Sequence, residues 1–230
     1  MLRAQRDIPL MRVSAKDFAY TEVKQRIINC KYKPGKQIVE DELSNELEIS
    51  RTPLREALQR LELEELVVRQ PNGRLKVAPV SVEEVKELFL VRSMLEGIVV
   101  SEAVDNISDQ DIKNLSYLVR MVKETSGEGN HEDVSNFGTQ FHTYLYNLSQ
   151  NKTVVKILFQ LNDHITRYRR LAHFIDTKKT SDEHEVILDF IIKKDKKNAE
   201  TTMKNHVLDS MNQAVLAVMQ YEETLQIESN

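Results

Sequence analysis

The sequence ISRTPLREALQRL at residues 49–61 has the periodicity of an amphipathic helix. Ser50 stands at the expected N-cap, and Pro53 fits the first turn, where backbone N–H groups have no partner within the helix. One face is apolar and carries Leu54, Leu58 and Leu61. The other face is polar and carries Arg51, Thr52, Arg55 and Gln59. We therefore predict a surface helix that turns two arginines, a hydroxyl and an amide toward solvent.

Two further helical segments precede this helix. Apolar residues recur at helical spacing from Phe18 to Ile28, and the turn sequence Lys33-Pro34-Gly35 follows that segment. A second helix is predicted to begin at Glu40-Asp41-Glu42, because acidic residues stabilise the first turn of a helix. Leu43 and Leu47 supply its buried side. The sequence thus predicts three helices in succession, joined by short turns.

A β-hairpin is predicted after the third helix. Leu66-Val67-Val68-Arg69-Gln70 and Leu75-Lys76-Val77 are apolar runs, and the Asn72-Gly73 pair between them is a strong hairpin signal. The basic residues along this hairpin are Arg69, Arg74 and Lys76. Three helices followed by a two-stranded wing form a winged helix-turn-helix domain, which we place at residues 16–79, behind a flexible arm at residues 1–15.

The polar face of the third helix predicts binding to double-stranded DNA. Two arginines and a hydroxyl in its first turns can reach guanine edges and phosphates in a major groove. The alternative is that Arg51 and Arg55 only solvate a surface helix beside Glu56. Residues 1–79 hold 15 Lys and Arg against 12 Asp and Glu, whereas residues 80–230 hold 17 against 24. The first part is therefore the candidate for nucleic acid.

The composition suggests two domains and excludes several classes of protein. All five prolines lie at or before Pro79 and all six histidines follow it, so two domains are expected to meet there. The single cysteine, Cys30, excludes a disulfide framework and a cysteine-based zinc module. No apolar run approaches the ~20 residues that span a bilayer, and the N-terminus lacks the pattern of a signal peptide. We therefore expect a cytoplasmic protein without membrane contacts.

Residues 80–225 are predicted to form an all-α bundle of six antiparallel helices, so the chain is mainly α. The first helix runs from a capping box at Ser81 and Glu84 to about Val104, and the second begins at Ser108. The remaining helices are expected at residues 131–149, 152–175, 181–194 and 197–221, after a loop at residues 126–130.

Three histidines of this bundle are predicted to meet. His184 and His206 face inward, and each lies eleven residues from Asp195, where the last two helices turn back on each other. Residues equidistant from the turn of an antiparallel hairpin lie level, so the two imidazoles can meet, and His142 lies at the edge of an earlier helix. Neutral imidazoles that converge in a bundle bind divalent ions such as zinc, nickel or manganese. The alternative is that all three are hydrogen-bonded core residues.

The N-terminal motifs resemble those of the GntR family of bacterial transcription regulators. The matching runs are Lys33-Pro34-Gly35, Glu40-Asp41-Glu42-Leu43 and residues 49–61, with the specific string SRTPLREAL. The residues that the resemblance assigns to operator DNA are Arg51, Thr52 and Arg55. It also implies that Gly73 at the wing tip approaches a minor groove, and Gln59 and Arg74 extend the two surfaces. Asp41 stands where some relatives carry a DNA-contacting arginine, so we assign Asp41 no contact with DNA.

The second part resembles the FCD effector domain of the FadR-like branch of this family. The matching strings are VRSMLEG at residues 91–97, Phe141-His142, His184-x-x-Ile187-Leu188 and Met203-x-x-His206. The resemblance covers nearly all of residues 81–221, looks like the six-helix VanR type, and implies a cavity that binds a small organic acid, often beside a divalent metal. The implied ligands are His142, His184, His206 and an Asp four residues before the first. Gly138 stands at that Asp position, which weakens the metal site and leaves coordination positions open.

Arg92 interrupts the apolar row of the first bundle helix. A buried guanidinium needs an anionic partner. Glu96, one turn away, is one candidate, and in that case Arg92 is structural. The other candidate is the carboxylate of the effector, which would make Arg92 the effector-binding residue.

Together these patterns predict a homodimeric, DNA-binding transcription repressor, not an enzyme, that a small organic acid controls through its bundle. A carboxylate in the cavity would change the preferred spacing of two winged helices and hence the affinity for a two-fold operator. Two alternatives stay open: a tri-histidine metal-dependent hydrolase, and a helical scaffold that uses the bundle only to dimerise. No candidate general base is found beside the histidines, which argues against the hydrolase.

Overall fold

The computed structural model describes residues 13–171 and 177–228. The chain divides into two units, Met1–Pro79 and Val80–Asn230, each with its own hydrophobic core. The predicted flexible arm falls mainly on residues 1–12, which lie outside the described part of the chain. Within the described ranges, no helix is both long enough and apolar enough to cross a membrane.

As far as it is described, the first unit has three helices and a three-stranded antiparallel sheet. In chain order these are α1 (Ala15–Ile28), β1 (Gln37–Ile38), α2 (Glu40–Glu46), α3 (Arg51–Leu63), β2 (Val67–Arg69) and β3 (Leu75–Val77). The strand order is β1-β3-β2. The predicted winged helix-turn-helix fold is confirmed, with one addition. Strand β1 pairs with β3 and brings Gln37 opposite Lys76 and Ile38 opposite Leu75.

Helix α1 has a side-chain cap at its N-terminus, and helix α3 does not. Ser14 Oγ accepts a hydrogen bond from the Asp17 backbone N–H at 3.2 Å, so α1 begins at Ala15, inside the predicted arm. Ser50 occupies the N-cap position of α3, but its side chain makes no capping hydrogen bond, contrary to the prediction. Pro53 is the third residue of α3 and has no N–H to donate, which removes one of the two usual donors to a cap.

The core of the first unit lies between α1, α3 and the sheet. Val23 of α1 and the α3 residues Leu54 and Leu61 are fully buried in one cluster. Val67 and Val77 lie opposite each other on β2 and β3 and join the same cluster. Because these apolar side chains point inward, the polar face of α3 is held outward.

Over residues 80–171 and 177–228, the second unit consists of helices joined by short turns and contains no strand. Its six described helices are α4 (Val82–Asn106), α5 (Asp109–Gly127), α6 (His131–Leu148), α7 (Lys152–Leu171), α8 (Thr177–Ile192) and α9 (Lys196–Glu228). Helix α4 packs along α9, and α5 packs against α6 and α8. This arrangement confirms the predicted all-α fold of the second part.

The turn between α8 and α9 is short and fixes the register of that helical hairpin. Lys194 adopts a left-handed backbone conformation with φ 58°. The Asp195 carboxylate then accepts a hydrogen bond from the Asn198 backbone N–H at 3.1 Å and caps α9. Helices joined by so short a turn run antiparallel side by side. Residues at equal distances from this turn therefore lie level.

In the second unit, the helix bounds differ most from the prediction at three places, and the other described ends agree to within about two residues. Helix α5 continues to Gly127, into the predicted loop, and α8 begins at Thr177 rather than residue 181. Helix α9 extends to Glu228, past the predicted end at residue 221. The predicted end of α7, at residue 175, lies outside the described residues. Apolar periodicity is weakest in the last turn of a helix, where side chains need not face the core.

Candidate functional sites

Three buried histidines from three helices meet inside the second unit. His142 comes from α6, His184 from α8 and His206 from α9, and each is at most 3% exposed. The ring centroids of His184 and His206 lie 4.5 Å apart, and that of His142 lies 5.6 Å and 5.3 Å from them. One nitrogen from each ring lies within 4.8 Å of the others. His142, expected at a helix edge, is therefore as much a core residue as the other two.

The outer nitrogen of each ring lies against a hydrogen-bond acceptor. The Nδ1 contacts are His142 with Glu96 Oε2 at 3.1 Å, His206 with Glu183 Oε2 at 2.7 Å, and His184 with the Thr180 carbonyl oxygen at 2.6 Å. An ionised carboxylate or a carbonyl accepts a hydrogen bond but cannot donate one. Each Nδ1 therefore carries the proton, and each Nε2 keeps its lone pair.

The inner nitrogens face one another with no donor between them. His142 Nε2 lies 3.3 Å from His206 Nε2, and the buried Nε2 of His184 has no hydrogen-bond partner among the described residues. Burial lowers the pKa of all three imidazoles, that of His184 to about 3, so they are neutral near neutral pH. Facing lone pairs repel unless a cation lies between them. The three imidazoles therefore have the donor chemistry of a tri-histidine metal site.

Glu96 of α4 is a fully buried carboxylate that orients His142. It accepts a hydrogen bond from the Tyr146 hydroxyl at 2.5 Å and pairs with the Arg92 guanidinium at 3.0 Å. Burial alone would raise the pKa of Glu96, but the neighbouring His142 and Arg92 outweigh burial and hold its pKa at about 2. The carboxylate therefore stays ionised, and its negative charge balances Arg92.

Arg92 is a buried residue of α4 that lies next to Glu96. The residue is 3% exposed, and its side chain pairs with Glu96 one helical turn away. Arg92 is not among the described residues that line the cavity beside the histidines. The two side chains share one face of α4, so the buried guanidinium finds its anion within the fold. This geometry matches the structural alternative for Arg92, and it does not favour the predicted contact with an effector.

A cavity opens beside the histidines at Gly138. A β-carbon built on Gly138 would lie 3.6 Å from both Cε1 and Nε2 of His184, so residue 138 faces the converging nitrogens. Because glycine has no side chain, that side of the three nitrogens is open. An acidic side chain at residue 138 would extend toward the same nitrogens. The other polar residues that line the cavity are Ser135, Arg169, Thr180, Ser210 and Gln213. The site can hold a small polar ligand next to the three imidazoles.

Arg169 of α7 supplies a positive charge to this cavity, and the sequence interpretation missed it. It has no acidic partner among the described residues, and burial, followed by the charge of Arg92, lowers its pKa to about 9. The pair Arg169-Arg170 near the end of a helix is typical of solvent-exposed cations at a C-terminus. The available signal was helical spacing, because Arg169 follows the buried Ile165 by four residues. An arginine that forms no direct ion pair with a carboxylate of the described residues suits an anionic ligand.

The predicted DNA-contacting residues lie on exposed surfaces of the first unit. The α3 residues Arg51, Thr52, Arg55 and Gln59 are all exposed. Gly73 at the wing tip has φ +81°, a left-handed conformation that glycine adopts without strain. Arg74 beside it is also exposed. The α3 face and the wing tip can therefore both reach a ligand outside the unit.

Two of the three arginines of α3, Arg51 and Arg55, are ion-paired with acidic residues of α2. Arg51 Nε lies 2.9 Å from Asp41 Oδ1, and Arg55 Nε lies 2.6 Å from Glu40 Oε2. The sequence interpretation did not foresee these contacts and placed Glu56 beside the arginines instead. Glu56 pairs with Lys16 of α1 at 3.4 Å.

Two family models match the chain. The model for bacterial regulatory proteins of the gntR family matches residues 15–77, and the model for the FCD domain matches residues 87–209. The Nta operon transcriptional regulator of Aminobacter aminovorans is 31% identical over 154 residues, which make up 67% of this chain and 71% of the relative. The gluconate operon transcriptional repressor of Bacillus subtilis (strain 168) is 26% identical over 185 residues, covering 76% of this chain and 74% of the relative.

A solved structure shares the fold. E. coli McbR/YncC aligns over 92% of this chain and 100% of its own, with a TM-score of 0.72 and 23% identity. The two family models together span both units, and the relatives are transcription regulators rather than enzymes. The chain belongs to the GntR family of bacterial regulatory proteins, as a FadR-like DNA-binding transcription regulator with a C-terminal FCD domain.

Proposed function

We propose that this regulator is a homodimeric repressor whose affinity for operator DNA is controlled by a small organic acid, bound in the second unit beside a divalent metal ion. The observation that carries the proposal is the cavity that the three histidines share with Arg169. Three neutral nitrogen donors and an arginine without an acidic partner among the described residues favour a ligand with negatively charged oxygens.

The three histidines would hold the metal through Nε2, and three imidazoles suit zinc, nickel or a manganese-like ion. When bound, such an ion supplies positive charge and open coordination positions for a carboxylate. Glu96 and Glu183 keep two of the rings in the required tautomer. Gly138 places no ligand atom of the chain at the open side, which leaves that side to the acid.

The acid would lie between the metal position and Arg169. A guanidinium binds a carboxylate through two parallel hydrogen bonds, which fixes the orientation of the ligand. Ser210 and Gln213 line the same cavity and can bind a hydroxyl or keto oxygen. These groups favour a compact acid that carries a second polar oxygen.

The winged helix would read one half of a two-fold operator. We assign the major groove to Arg51, Thr52, Arg55 and Gln59, and the adjoining minor groove to Gly73 and Arg74. Repression is supported by the gluconate operon relative, which is a repressor by name. A regulator of chromosomal operators in a bacterium acts in the cytoplasm.

The exposed face of α4 supports a homodimer. Between Leu90 and Ile98 every exposed side chain of α4 is apolar, and these residues are Leu90, Val91, Met94 and Ile98. An apolar stripe on a surface helix is typical of an interface, and in a two-fold dimer the same stripe serves both subunits. An antiparallel crossing centred on Met94 would bring Lys86 of one copy level with Glu102 of the other. The six described helices also support the VanR-type branch.

The first experiment tests DNA binding. The wild-type chain, purified without an affinity tag or chelator, selects duplexes from a random-sequence library, and mobility shift measures the affinity for the selected duplex. We expect a two-fold sequence, and binding weakened by about 1–3 kcal/mol in Arg55→Ala if Arg55 contacts a guanine. Selection of no duplex would leave the helical scaffold as the better description.

The second experiment tests the acid site. Elemental analysis measures the metal content of the purified chain, and a series of small carboxylic and hydroxycarboxylic acids is then titrated into the protein–duplex complex. We expect a divalent metal, release of the duplex by at least one acid, and no release in Arg169→Gln. The matched control is Arg170→Gln, because Arg170 is exposed and pairs with Glu132. A normal response in Arg169→Gln would contradict the assigned acid site.

A further inference from the structure

The two arginines assigned to the major groove are each held by a carboxylate from the first turn of α2. Asp41 contacts Arg51 through Nε at 2.9 Å, and Glu40 contacts Arg55 through Nε at 2.6 Å. Glu40 and Asp41 lie in the first turn of α2, and Arg51 and Arg55 lie in the first two turns of α3. The acidic residues are therefore part of the surface that would face DNA.

Among the described residues, each of these carboxylates contacts its arginine at Nε, which leaves the edge formed by the two terminal nitrogens available to a ligand. Arginine has five N–H donors in a planar fork, and one carboxylate at Nε occupies only part of that fork. The two terminal nitrogens can still donate to O6 and N7 of a guanine. A side chain already fixed by a neighbour also loses less conformational entropy when it binds.

The carboxylates affect phosphate binding differently from base binding. A phosphate carries a full negative charge and is repelled by Glu40 and Asp41, which also offset the charge of the arginines. A guanine edge offers uncharged acceptors, so the same carboxylates disfavour it much less. Each acid–arginine pair therefore weakens binding to a duplex that offers these arginines only phosphates. It weakens binding less when the duplex has a correctly placed guanine.

A contribution to fold stability is a poor explanation for these pairs. The side chains of Arg51 and Asp41 are 60% and 59% exposed, and in the second pair Arg55 is 59% and Glu40 27% exposed. Exposed ion pairs contribute little to the free energy of unfolding, because water screens them. Their position on the assigned DNA surface favours a role in binding.

We propose that Glu40 and Asp41 are specificity-determining residues, which hold Arg55 and Arg51 for guanine and disfavour their binding to phosphate. The inference rests on the proposed function only in that α3 enters the major groove. It predicts that removing either negative charge raises affinity for arbitrary DNA and lowers the preference for the selected duplex.

The test compares two duplexes of equal length and composition. One is the duplex selected by the wild-type chain, and the other is a scrambled version of it. Glu40→Gln and Asp41→Asn keep the size and the acceptor oxygen of each side chain but remove the charge. We expect affinity for the scrambled duplex to rise roughly threefold or more, with a smaller change for the selected duplex and a steeper dependence on salt.

Glu42→Gln is the matched control. Glu42 lies in the same first turn of α2 and is exposed, but it pairs with neither arginine. Its substitution should leave the ratio of the two affinities unchanged. A purely structural role for Glu40 would lower both affinities alike, together with the melting temperature of the variant.

A double-mutant cycle identifies the arginine through which Glu40 acts. In an Arg55→Ala background, Glu40→Gln should no longer change the ratio of the two affinities, because the side chain that it positions is gone. An unchanged ratio in Glu40→Gln alone, or the same change in both backgrounds, would overturn the inference. A wild-type chain that selects no duplex would instead overturn the proposed function, and this assignment with it.

Discussion

Among single residues, Gly138 is the one that we expect to set the balance between metal binding and acid binding in the proposed site. A β-carbon at this position would make ordinary van der Waals contact with the His184 ring, 3.6 Å away. Gly138→Asp should therefore place a carboxylate beside the three nitrogens and tighten zinc binding by roughly tenfold or more. The same carboxylate should weaken binding of the acid, because it occupies the open side. Calorimetric titrations of zinc and of the acid measure both effects.

Gly138→Ala is the control for this substitution, because alanine adds the β-carbon without a ligand atom. Its zinc affinity should stay close to that of the wild-type chain. Equal zinc affinities for the Asp and Ala variants would mean that residue 138 does not reach the metal position.

The buried histidines predict how stability depends on pH. In the metal-free chain, burial lowers the pKa of these imidazoles below the ordinary value near 6.5, to about 3 for His184. Between these values the unfolded chain binds more protons than the folded chain does. The free energy of unfolding should therefore fall as the pH drops below about 6.5, by up to ~1.4 kcal/mol per pH unit for each histidine. Urea unfolding with a chelator, at about pH 7.5 and 5.5, measures this loss.

Added zinc should make the pH dependence steeper, since protons compete with the metal for Nε2. A metal-free chain that is equally stable at both pH values would contradict a buried, neutral set of histidines.

The sequence predicts the meeting of the histidines but not the residues around them. Residues at equal sequence distances from the turn of an antiparallel hairpin lie at the same level along it. His184 and His206 could therefore be placed next to each other from residue numbers alone. Their partners depend on the rotation of each helix about its own axis. Glu183 lies next to His184 in sequence yet contacts His206 on the other helix. Periodicity does not set such contacts, and the same is true of Arg169 in the cavity.

At the level of elements, the helices and the hairpin were predictable and β1 was not. A strand of two residues has no alternating pattern of its own, and β1 exists because β3 has a free edge next to it. The order of α1, α2, α3 and the wing follows from apolar spacing and one Asn-Gly turn. Local patterns therefore determine most of this unit, and pairing between distant residues determines the remainder.

The apolar stripe of α4 makes a prediction about oligomeric state. Met94 is 55% exposed at the centre of the stripe, so Met94→Glu should not disturb the core. In an antiparallel dimer centred there, two glutamates would face each other and repel across an apolar surface. We expect the variant to sediment as a monomer at concentrations at which the wild-type chain is a dimer.

Leu216→Glu on α9 is the control, because Leu216 is 59% exposed and lies outside the stripe. It should sediment like the wild-type chain. A dimeric Met94→Glu variant with an unchanged melting temperature would move the interface away from this face of α4.

For the whole molecule, the proposed control of DNA binding by the acid would be a coupling free energy between the two units. The arginines of α3 and the cavity residues belong to different units, each with its own hydrophobic core. No shared contact is required for coupling, provided that the acid binds one state of the molecule more tightly than another. Thermodynamic linkage then requires the effect to be mutual.

This reciprocity is the prediction that joins the two sites. If saturating acid raises the Kd for the selected duplex by some factor, saturating duplex must raise the Kd for the acid by the same factor, commonly about 5–150-fold. Arg169→Gln should weaken acid binding without changing duplex affinity in the absence of acid. Arg55→Ala should weaken duplex binding without changing acid affinity in the absence of duplex. Calorimetry of the acid, with and without duplex, and mobility shift with and without acid, measure the two factors independently. Unequal factors would mean that the acid releases DNA by another route, such as dissociation of the dimer or binding at a second site.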